Sequence, residues 1–523
     1  MLTSKNSDIG ANKHNLTDTW TKTPSLTVWI GVFGVLLGIA TGWLAGAQPL
    51  YLVLLLIAAV VFVCFFAEFE LVVMGLLILR SSLDIFSAQQ LPAAYAVGIS
   101  GLTLVYVTCL LLTRQTVNVD WFWWFLASWL LWQALWPILC VFGGLGLGTV
   151  VLGDNVREWT RLFSWLMVYL LVMQLKGRVK PEKIISILFI ALITPICVGF
   201  LQLILPDSVL PSFLATYHGD RLNGTLAHPN AFATFILFFI GLTYWRLRCS
   251  SRFTRSQKSD RGAVSLSLAT YKGQKHRDQK SIFWPSNRLF WLLLLGVLAL
   301  MLIGTRTMVV LGMLGIFVLV TIAPKFNWLN LIGGVLLLVL VLGLFISTPF
   351  GQERLQSLAQ TPLFNSNIDV SRAILLSGSD YNSFNWRIAQ WHYLLTAWQQ
   401  FPIFGHGLAT SKYLSIYNLE AHNDYIRAIA ESGLVGLATF FAFLAAQGIR
   451  IVQLLRQTTE NKEQNDLCLI LLALFVAMLV GMLTENIWTH TTLWFYWWTV
   501  LAVAGWEWGV EVESNQLLTM NKL

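Results

Sequence analysis

Charged residues are scarce in this 523-residue chain. Asp, Glu, Lys and Arg together make up 11% of the sequence, whereas apolar residues make up 56% and tryptophan occurs 24 times. Soluble globular domains contain roughly 25% charged residues, so this composition excludes a soluble globular fold. It predicts instead an all-α protein, a polytopic bundle of transmembrane helices.

Spacings typical of metal, disulfide and nucleotide sites are also missing. The sequence has no His-x-x-x-His, no Asp-x-Asp in a predicted outer loop and no Gly-rich loop ending in Gly-Lys-Ser/Thr. We therefore expect no metal, no cofactor and no nucleotide-driven reaction. The six cysteines are scattered singly, so we expect neither disulfides nor cysteine-bound zinc. They are Cys64, Cys109, Cys140, Cys197, Cys249 and Cys468.

The first 24 residues contain no apolar stretch and no small-residue cleavage site. Secretory signal peptides need both, so we expect none to be removed. We expect residues 1–24 to be a cytoplasmic tail, and the first apolar segment to direct insertion into the membrane.

Long apolar runs are abundant. A helix needs about 20 apolar residues to cross a hydrocarbon core roughly 30 Å thick. Ten runs in this chain are about that long, and four further runs are shorter or more polar. The four lie at 67–80, 159–175, 289–304 and 307–323. Because neighbouring short runs can be halves of one span, we expect twelve to fourteen spans. The longer candidates are 27–46, 49–66, 95–113, 121–142, 183–204, 229–246, 328–347, 433–452, 467–484 and 491–508.

Lys and Arg are concentrated in one loop. The stretch from Arg246 to Arg288 carries eleven of them against two acidic residues, so its net charge of +9 (11 − 2) exceeds the +8 of the whole chain. Positive residues favour cytoplasmic loops, so we expect this basic loop (247–288) and both termini to be cytoplasmic. Few aromatic residues lie between its charges, and we expect no nucleic-acid partner.

Alternation of the spans divides the rest of the chain. We expect an N-terminal transmembrane bundle at 25–348 and C-terminal transmembrane helices at 431–510. Between them we expect one large extracytoplasmic loop at 349–430, containing short interfacial helices, and after them a cytoplasmic tail at 511–523.

Imidazoles and isolated arginines gather on the predicted outer side. Arg221, Arg306 and Arg387 lie there, although topology does not require positive residues on that side. Together with the histidines they predict a site for a phosphorylated lipid. The histidines on this side are six of the eight in the chain: His218, His228, His392, His406, His422 and His490.

Four segments resemble, in order and spacing, the motifs of the O-antigen ligase and polymerase superfamily. The resemblance covers roughly residues 25–510. The segments are RLNGTLAHPNAFATF (221–235), GTRTMVVLGMLGI (304–316), NWRIAQWHYLLTAWQQFPIFGHG (385–407) and AHNDYIRAIAESGLVGL (421–437).

The resemblance implies a membrane glycosyltransferase of surface polysaccharide biosynthesis in the bacterial inner membrane. Such enzymes take a glycan from a polyprenyl (undecaprenyl) diphosphate carrier by a metal-independent mechanism. The chain departs from the usual motifs at two places. It has Thr305-Arg306-Thr307 where Ser-Arg is usual, and His228 where Asn or another polar residue is usual.

Transfer to a hydroxyl needs a general base. A histidine with an ordinary pKa near 6.5 is able to accept a proton near neutral pH, and His422, in the last of these motifs, is the candidate. A capping or structural role is the alternative, because Asn423 and Asp424 beside it are natural N-cap residues.

Cationic groups must stabilise the departing diphosphate, and Arg387 is the main candidate. If Asn385 caps a helix over 386–401, Arg387 lies in its first turn, where free N–H groups also favour an anion. The same face would lie at the membrane interface. An ordinary amphipathic helix with a snorkelling arginine is the alternative. The residues expected to share this face are Trp391, Leu394 and Trp398.

Other residues of the motifs are candidates for smaller roles. Arg221 and Arg306 are further candidates for diphosphate binding, although Arg306 has the alternative role of an interfacial anchor. His228, Asn423 and Tyr425 are candidates for sugar contact or support.

Two features of the last motif concern structure. Arg427 and Glu431 are four residues apart, so we expect them to pair on a helix. Gly433 and Gly436 are expected to let a short surface helix break before the spanning one.

The residues leave the reaction partly open. A ligase would move the glycan to a glycan, lipid or protein acceptor, whereas a polymerase would extend it on the same carrier. A different class, a small-anion (bicarbonate-like) transporter, is disfavoured because the chain lacks internal repeats and charged spans. Convergence of Arg221, Arg387 and His422 within about one diphosphate length would favour transfer, and dispersed positions would favour transport.

Overall fold

The computed structural model describes residues 59–217, 221–264, 287–323, 328–362, 370–377 and 383–509. Within these ranges the chain forms α-helices, short 3-10 helices and loops, without a strand. The prediction of an all-α helix bundle is confirmed. The chain divides into two compact units, Met1–Val72 and Val73–Leu523. The described part of the first unit is mostly helical, and the site described below lies in the second.

The α-helices from Phe69 onward are numbered in chain order. A 3-10 helix, Arg80–Gln89, follows the first of them directly. The helices are α1 (Phe69–Leu79), α2 (Leu91–Leu112), α3 (Trp121–Gln133), α4 (Leu135–Phe142), α5 (Leu152–Met173), α6 (Pro181–Ala191), α7 (Ile193–Ile204), α8 (Pro229–Val264), α9 (Arg288–Gly304), α10 (Met308–Ile322), α11 (Trp328–Ile346), α12 (Pro349–Ala359), α13 (Val370–Leu376), α14 (Ser383–Trp398), α15 (Asp424–Gln457), α16 (Lys462–Gly481) and α17 (Thr491–Ala504).

Seven helical segments in the described ranges are long and apolar enough to cross a membrane, or eight if the bent pair α11 and α12 is one span. This number refers to the described residues and is below the predicted twelve to fourteen. The predicted spans at 27–46 and most of 49–66 lie outside the described residues. The helices α9, α10 and α17 are apolar but short, and α5 has four charged residues in its first half. The seven are Phe69–Gln89, Leu91–Leu112, Trp121–Phe142, Pro181–Ile204, Pro229–Ser250, Asp424–Gln457 and Lys462–Gly481.

Two of these spans are each made of two helices. α3 gives way to α4 at Ala134, three residues before Pro137, and α6 gives way to α7 at Leu192, three residues before Pro195. Proline lacks an N–H group, and its ring clashes with the carbonyl one turn earlier. Each break therefore lies where proline interrupts the hydrogen bonds of the helix.

Residues beside the predicted basic loop and the predicted C-terminal tail form contacts at one end of the bundle. The indole of Trp245, at the start of the basic loop, donates to the Glu463 carbonyl oxygen at 2.9 Å. Which compartment this end faces stays a prediction. Three ion pairs lie at the same end of the bundle: Lys176–Glu507 at 2.9 Å, Arg248–Asp466 at 3.2 Å and Arg450–Asp120 at 2.6 Å.

The helix α17 lies at the centre of the bundle. It is apolar on all sides, and every residue from Thr492 to Ala504 is buried. Its Trp494 stacks on Trp498 at 5.5 Å and on Trp165 of α5 at 5.0 Å between ring centroids. A helix that is hydrophobic all round belongs in the core, and this one supports the short 482–490 loop that reaches the candidate site.

The predicted break in α15 occurs at Gly433, which has φ +66° and ψ −165°, whereas Gly436 stays helical. A Cβ atom at Gly433 would overlap the Ile403 carbonyl, so glycine is required there. Backbone groups freed by the break are satisfied by a neighbouring loop. Leu434 N–H donates to the Pro402 carbonyl oxygen at 2.9 Å, and the Glu431 carbonyl oxygen accepts from Gly407 N–H at 2.7 Å.

Three short helices, α12 to α14, lie in the predicted outer loop 349–430. The first begins at Pro349, is capped by the Thr348 hydroxyl, and turns by 95° from α11. The third packs on the start of α15 through Leu394, which forms a buried cluster with Ala421 and Ala430. This packing places α14 beside the chain segment that carries His422.

Candidate active site

A cavity of about 400 Å³ lies where α8, α10, α12, α14 and the 482–490 loop approach one another. Its lining includes the apolar residues Met308, Val309, Phe350 and Leu358. Five of the predicted site residues line this one cavity, and two charged residues that sequence reasoning missed, Arg354 and Glu485, line it as well. The predicted residues are Arg221, Arg306, Arg387, His228 and His422.

His422 lies just before the first residue of α15. It has φ +48°, an uncommon conformation for a residue other than glycine. Its backbone N–H donates to Asn486 Oδ1 at 2.7 Å, and its ring meets Trp386 edge-on with centroids 5.2 Å apart. Its Nδ1 lies 3.4 Å from Glu485 Oε1, an ion-pair distance that is long for a hydrogen bond.

The helix cap next to His422 is Asn423. Its Oδ1 accepts hydrogen bonds from Tyr425 N–H and Ile426 N–H, both at 3.0 Å. The capping role that was the alternative for His422 therefore belongs to its neighbour, and the imidazole of His422 faces the cavity instead.

Glu485 is the buried acceptor behind His422. Its Oε2 accepts from Asn230 Nδ2 at 2.6 Å, and only 2% of the residue is exposed. Burial alone raises the pKa of this carboxyl, but His422, Arg387 and His490 lower it by more, so its pKa lies well below the usual range. In the sequence, Glu485 could have been recognised as a lone acidic residue in a short turn between two apolar segments.

Arg221 is held by the turn between α9 and α10. Its Nε donates to the Thr305 carbonyl oxygen at 3.1 Å, and its Nη2 donates to Thr307 Oγ1 at 3.1 Å and to Asn230 Oδ1 at 2.8 Å. Because the Asn230 amide also donates to Glu485, it joins the arginine to the carboxylate behind His422.

His228 caps the start of α8. Its Nδ1 accepts a hydrogen bond from Asn230 N–H at 3.1 Å. The pKa of His228 is lowered to about 4, mainly by burial; Glu485 opposes this effect, and the positive charge of Arg221 adds to it. A neutral ring suits this acceptor role, which makes His228 a support for Asn230.

Arg306 and Arg354 lie on the ring of the same phenylalanine. Their guanidinium carbons are 5.6 Å and 4.7 Å from the centroid of Phe350. Arg306 is in the tight turn between α9 and α10, with φ +53°, and Arg354 is on α12. From the sequence Arg354 looked like one charge of an ordinary polar stretch, and only the bend after α11 brings it to the cavity.

The prediction for the start of the Arg387 helix is wrong. The helix α14 begins at Ser383, so Asn385 lies inside it, buried, and Arg387 is its fifth residue rather than a first-turn residue. The argument from the free N–H groups of the first turn therefore does not apply to Arg387. Burial lowers the pKa of Arg387, and Glu485 opposes this effect.

The residues expected to share the Arg387 face pack on protein. The indole of Trp391 donates to the Ala421 carbonyl oxygen at 2.9 Å, and that of Trp398 donates to the Pro402 carbonyl oxygen at 3.1 Å. Leu394 is fully buried. These contacts hold α14 against the segment before His422, which is the physical reason that Arg387 reaches the same cavity.

Asn423 and Tyr425 do not line this cavity. The Tyr425 hydroxyl donates to the Leu479 carbonyl oxygen at 2.8 Å, and its ring stacks on Phe441. The predicted pair of Arg427 and Glu431 is confirmed, with Nε 3.0 Å from Oε1.

The cavity can bind an anion that carries more than one charge. Four guanidinium groups line it. That of Arg221 is held in position by its hydrogen bonds to Thr305, Thr307 and Asn230. Arginine matches phosphate oxygens in pairs. Within the described residues no group of three His, Cys, Asp or Glu side chains is placed to hold a metal ion.

Comparison with known proteins connects this geometry to a family. No curated protein matches the chain. The model of the O-antigen ligase family matches residues 291–441, from α9 into the spanning part of α15. The match includes Arg306, Arg354, Arg387 and His422, and it supports a membrane glycosyltransferase-like role in surface polysaccharide biosynthesis. Residues 291–441 are therefore similar to the O-antigen ligase family, and this match supports the O-antigen ligase superfamily.

Proposed function

We propose that the protein transfers a glycan from polyprenyl (undecaprenyl) diphosphate to an acceptor hydroxyl, as an O-antigen ligase does. The acceptor is a glycan, a lipid or a protein. The observation that carries the proposal is the convergence of four arginines, His422 and Glu485 around one cavity. These residues come from separate parts of the chain, and a site for a bound anion beside a base accounts for their meeting.

The cavity suits the chemical character of this donor. Arg221, Arg306, Arg354 and Arg387 bind the diphosphate and stabilise the charge that develops as it leaves. Apolar residues such as Met308 and Val309 line the same cavity as the arginines. A lipid diphosphate presents these two surfaces side by side, because its tail begins where its charge ends.

His422 is the general base of the proposed reaction. With Nδ1 turned to Glu485, the other ring nitrogen, Nε2, is left to take the proton of the acceptor hydroxyl. The hydroxyl oxygen then bonds to the anomeric carbon while the bond from that carbon to the diphosphate breaks. Glu485 stabilises the imidazolium, and the arginines stabilise the released diphosphate.

Two other activities were considered from the sequence. A polymerase would use the same donor and the same cavity, and deletion of the gene separates it from a ligase. Loss of chains from their anchor indicates a ligase, whereas shortened chains indicate a polymerase. Transport of a small anion predicted dispersed positions for Arg221, Arg387 and His422; that all three line one cavity supports transfer.

The test of this function is single-turnover transfer by the full chain in nanodiscs. We expect His422→Ala, His422→Asn and His422→Ser to lower the rate by about 10²–10⁴-fold, because none of them supplies a base. Donor binding and melting temperature should change little, since Asn423 keeps the cap. Near-wild-type transfer by the Asn or Ser variant would exclude His422 as the base.

The proposal includes a location. We place the protein in the bacterial inner (plasma) membrane, with both termini in the cytoplasm and the cavity on the outer face. A reporter fused at residue 265 should read as cytoplasmic, and one fused at residue 375 as extracytoplasmic. The reverse result would put the site on the wrong side for a donor exposed at the outer face.

A further inference from the structure

A row of aromatic rings leads away from the candidate base. Trp386 meets His422 with ring centroids 5.2 Å apart, Tyr417 meets Trp386 at 5.7 Å, and Tyr393 meets Tyr417 at 6.1 Å. All three contacts are edge-to-face. Trp386, Tyr417 and Tyr393, here called the aromatic series, are each partly exposed.

The fold builds the aromatic series from two segments. Trp386 and Tyr393 are seven residues apart on α14, so they lie on the same side of the helix, about two turns apart. Tyr417 comes from the loop before α15 and fills the space between them. Its hydroxyl forms a hydrogen bond with the Ser377 hydroxyl, which fixes the position of this ring.

We propose that the aromatic series is a binding site for the sugar units of a glycan chain next to the reacting one. This proposal rests on the proposed function, because it takes the chain to begin at His422. Sugar rings have apolar C–H faces and polar rims, and Trp and Tyr offer flat rings with a polar edge and little side-chain entropy to lose.

The direction of the aromatic series agrees with this use. Its first ring touches the imidazole that lines the cavity, and its last ring is on α14 two turns farther along. A glycan with its reacting end at His422 would meet Trp386 first, then Tyr417, then Tyr393. The contribution of Tyr393 should therefore grow with chain length.

The alternative is that these rings only pack the loop onto α14. A packing role predicts lower thermal stability and no dependence on glycan length. Tyr413 provides a matched control, because it is a 48% exposed tyrosine of the same loop that bonds to Asp154 and lies outside the aromatic series.

The experiment compares the full chain with Tyr393→Ala and Tyr413→Ala in nanodiscs. Two donors are used, polyprenyl diphosphate carrying one repeat unit and the same carrier with many repeats. For Tyr393→Ala we expect the ratio of half-saturating concentrations, long to short, to rise by about 2–10-fold. Tyr413→Ala should leave this ratio unchanged. An unchanged ratio for Tyr393→Ala, with or without a lower melting temperature, would overturn the proposal for the donor glycan.

The acceptor is tested in the same system. If the aromatic series binds the glycan of the acceptor, Tyr393→Ala raises the half-saturating concentration of acceptor at a fixed donor concentration. The long-to-short ratio for the donor then stays unchanged. A change in neither quantity overturns glycan binding from both sources.

A binding measurement separates this proposal from the proposed function. The probe is the cell's own surface polysaccharide, released by mild acid, and its contact with the protein is followed by saturation-transfer NMR. We expect contact with wild type and with Tyr417→Phe, which keeps the ring, and a weaker signal with Tyr393→Ala. This result would support the aromatic series even if wild type transferred no glycan. If the wild-type protein transfers glycan but shows no contact with the polysaccharide, the aromatic series is not a glycan-binding site, and the proposed function is unaffected.

Discussion

Replacement of Glu485 by Gln tests how the site orients its base. The buried carboxylate has Oε1 3.4 Å from His422 Nδ1 and Oε2 2.6 Å from Asn230 Nδ2. The pKa of Glu485 lies well below its usual range because His422 and positive neighbours outweigh the effect of burial. The group is therefore ionised at neutral pH and accepts on both sides. Gln has nearly the same shape but accepts on one side only.

The hydrogen bonds determine which way the amide turns. Asn230 Nδ2 donates to Oε2 at 2.6 Å, and Asn486 N–H donates to Oε1 at 3.2 Å, so the shorter bond keeps the Gln oxygen on the Asn230 side and the Gln NH₂ group faces His422 Nδ1. Nδ1 must then accept, which moves the ring proton to Nε2, the nitrogen that should take the proton of the acceptor. We expect a loss approaching the full worth of a general base, about 10²–10⁴-fold or about 3–5 kcal/mol in the barrier.

The assay is single-turnover transfer in nanodiscs, with donor binding and melting temperature measured in parallel. Glu507→Gln is the matched control, because Glu507 also pairs with a cation, Lys176 at 2.9 Å, but its side chain is 75% exposed at the other end of the bundle. A folded Glu485→Gln variant that binds donor and transfers it at the wild-type rate would refute the tautomer argument.

Three further predictions follow from other parts of the structure. Arg387→Ala should abolish transfer while the protein remains in the membrane, and Arg387→Lys should restore only part of it, because a point charge lacks the two-pronged guanidinium. Full transfer by the Ala variant in the single-turnover assay would show that Arg387 is not part of the site. Gly433→Ala should destabilise the fold by about 3 kcal/mol or more, because Gly433 has a φ of +66° and a Cβ atom there would overlap Ile403, whereas Gly101→Ala, with open space around it, should not. Equal melting temperatures for the two variants would contradict the reason given for the break. Burial lowers the pKa of His490 to about 4, so the unfolded chain binds the proton first. The free energy of unfolding should then decrease by about 3 kcal/mol as pH falls from about 6.5 to about 4, and a denaturation series should show a smaller decrease for His490→Gln.

The sequence predicted well where a single residue's chemistry is enough. Isolated arginines and histidines outside the spans were predicted to belong to one anionic site; the three arginines, His228 and His422 line one cavity, whereas His392, His406 and His490 do not. The break at Gly433 and the pair of Arg427 and Glu431 follow from local backbone geometry, which depends on neighbours along the chain. The chemical roles of the site residues stay predictions.

Prediction from the sequence was less successful at the ends of helices. The start of α14 was placed at Asn385, but the helix begins at Ser383. A polar residue at a plausible position is a weak signal, because tertiary packing selects one among several possible caps. The same limit applied to His422 and Asn423, which only the hydrogen bonds of the structure distinguish.

By itself the sequence determined the class of this protein, a polytopic helix bundle with cationic residues outside its spans, because apolar runs and charges act through solvent preference and need no partner. Only the tertiary structure decided that Glu485 stands behind His422, that Asn230 joins it to Arg221, and that Arg354 reaches the same cavity. These contacts join residues from distant parts of the chain. Their geometry depends on helix bends and packing, which no local pattern of residues records.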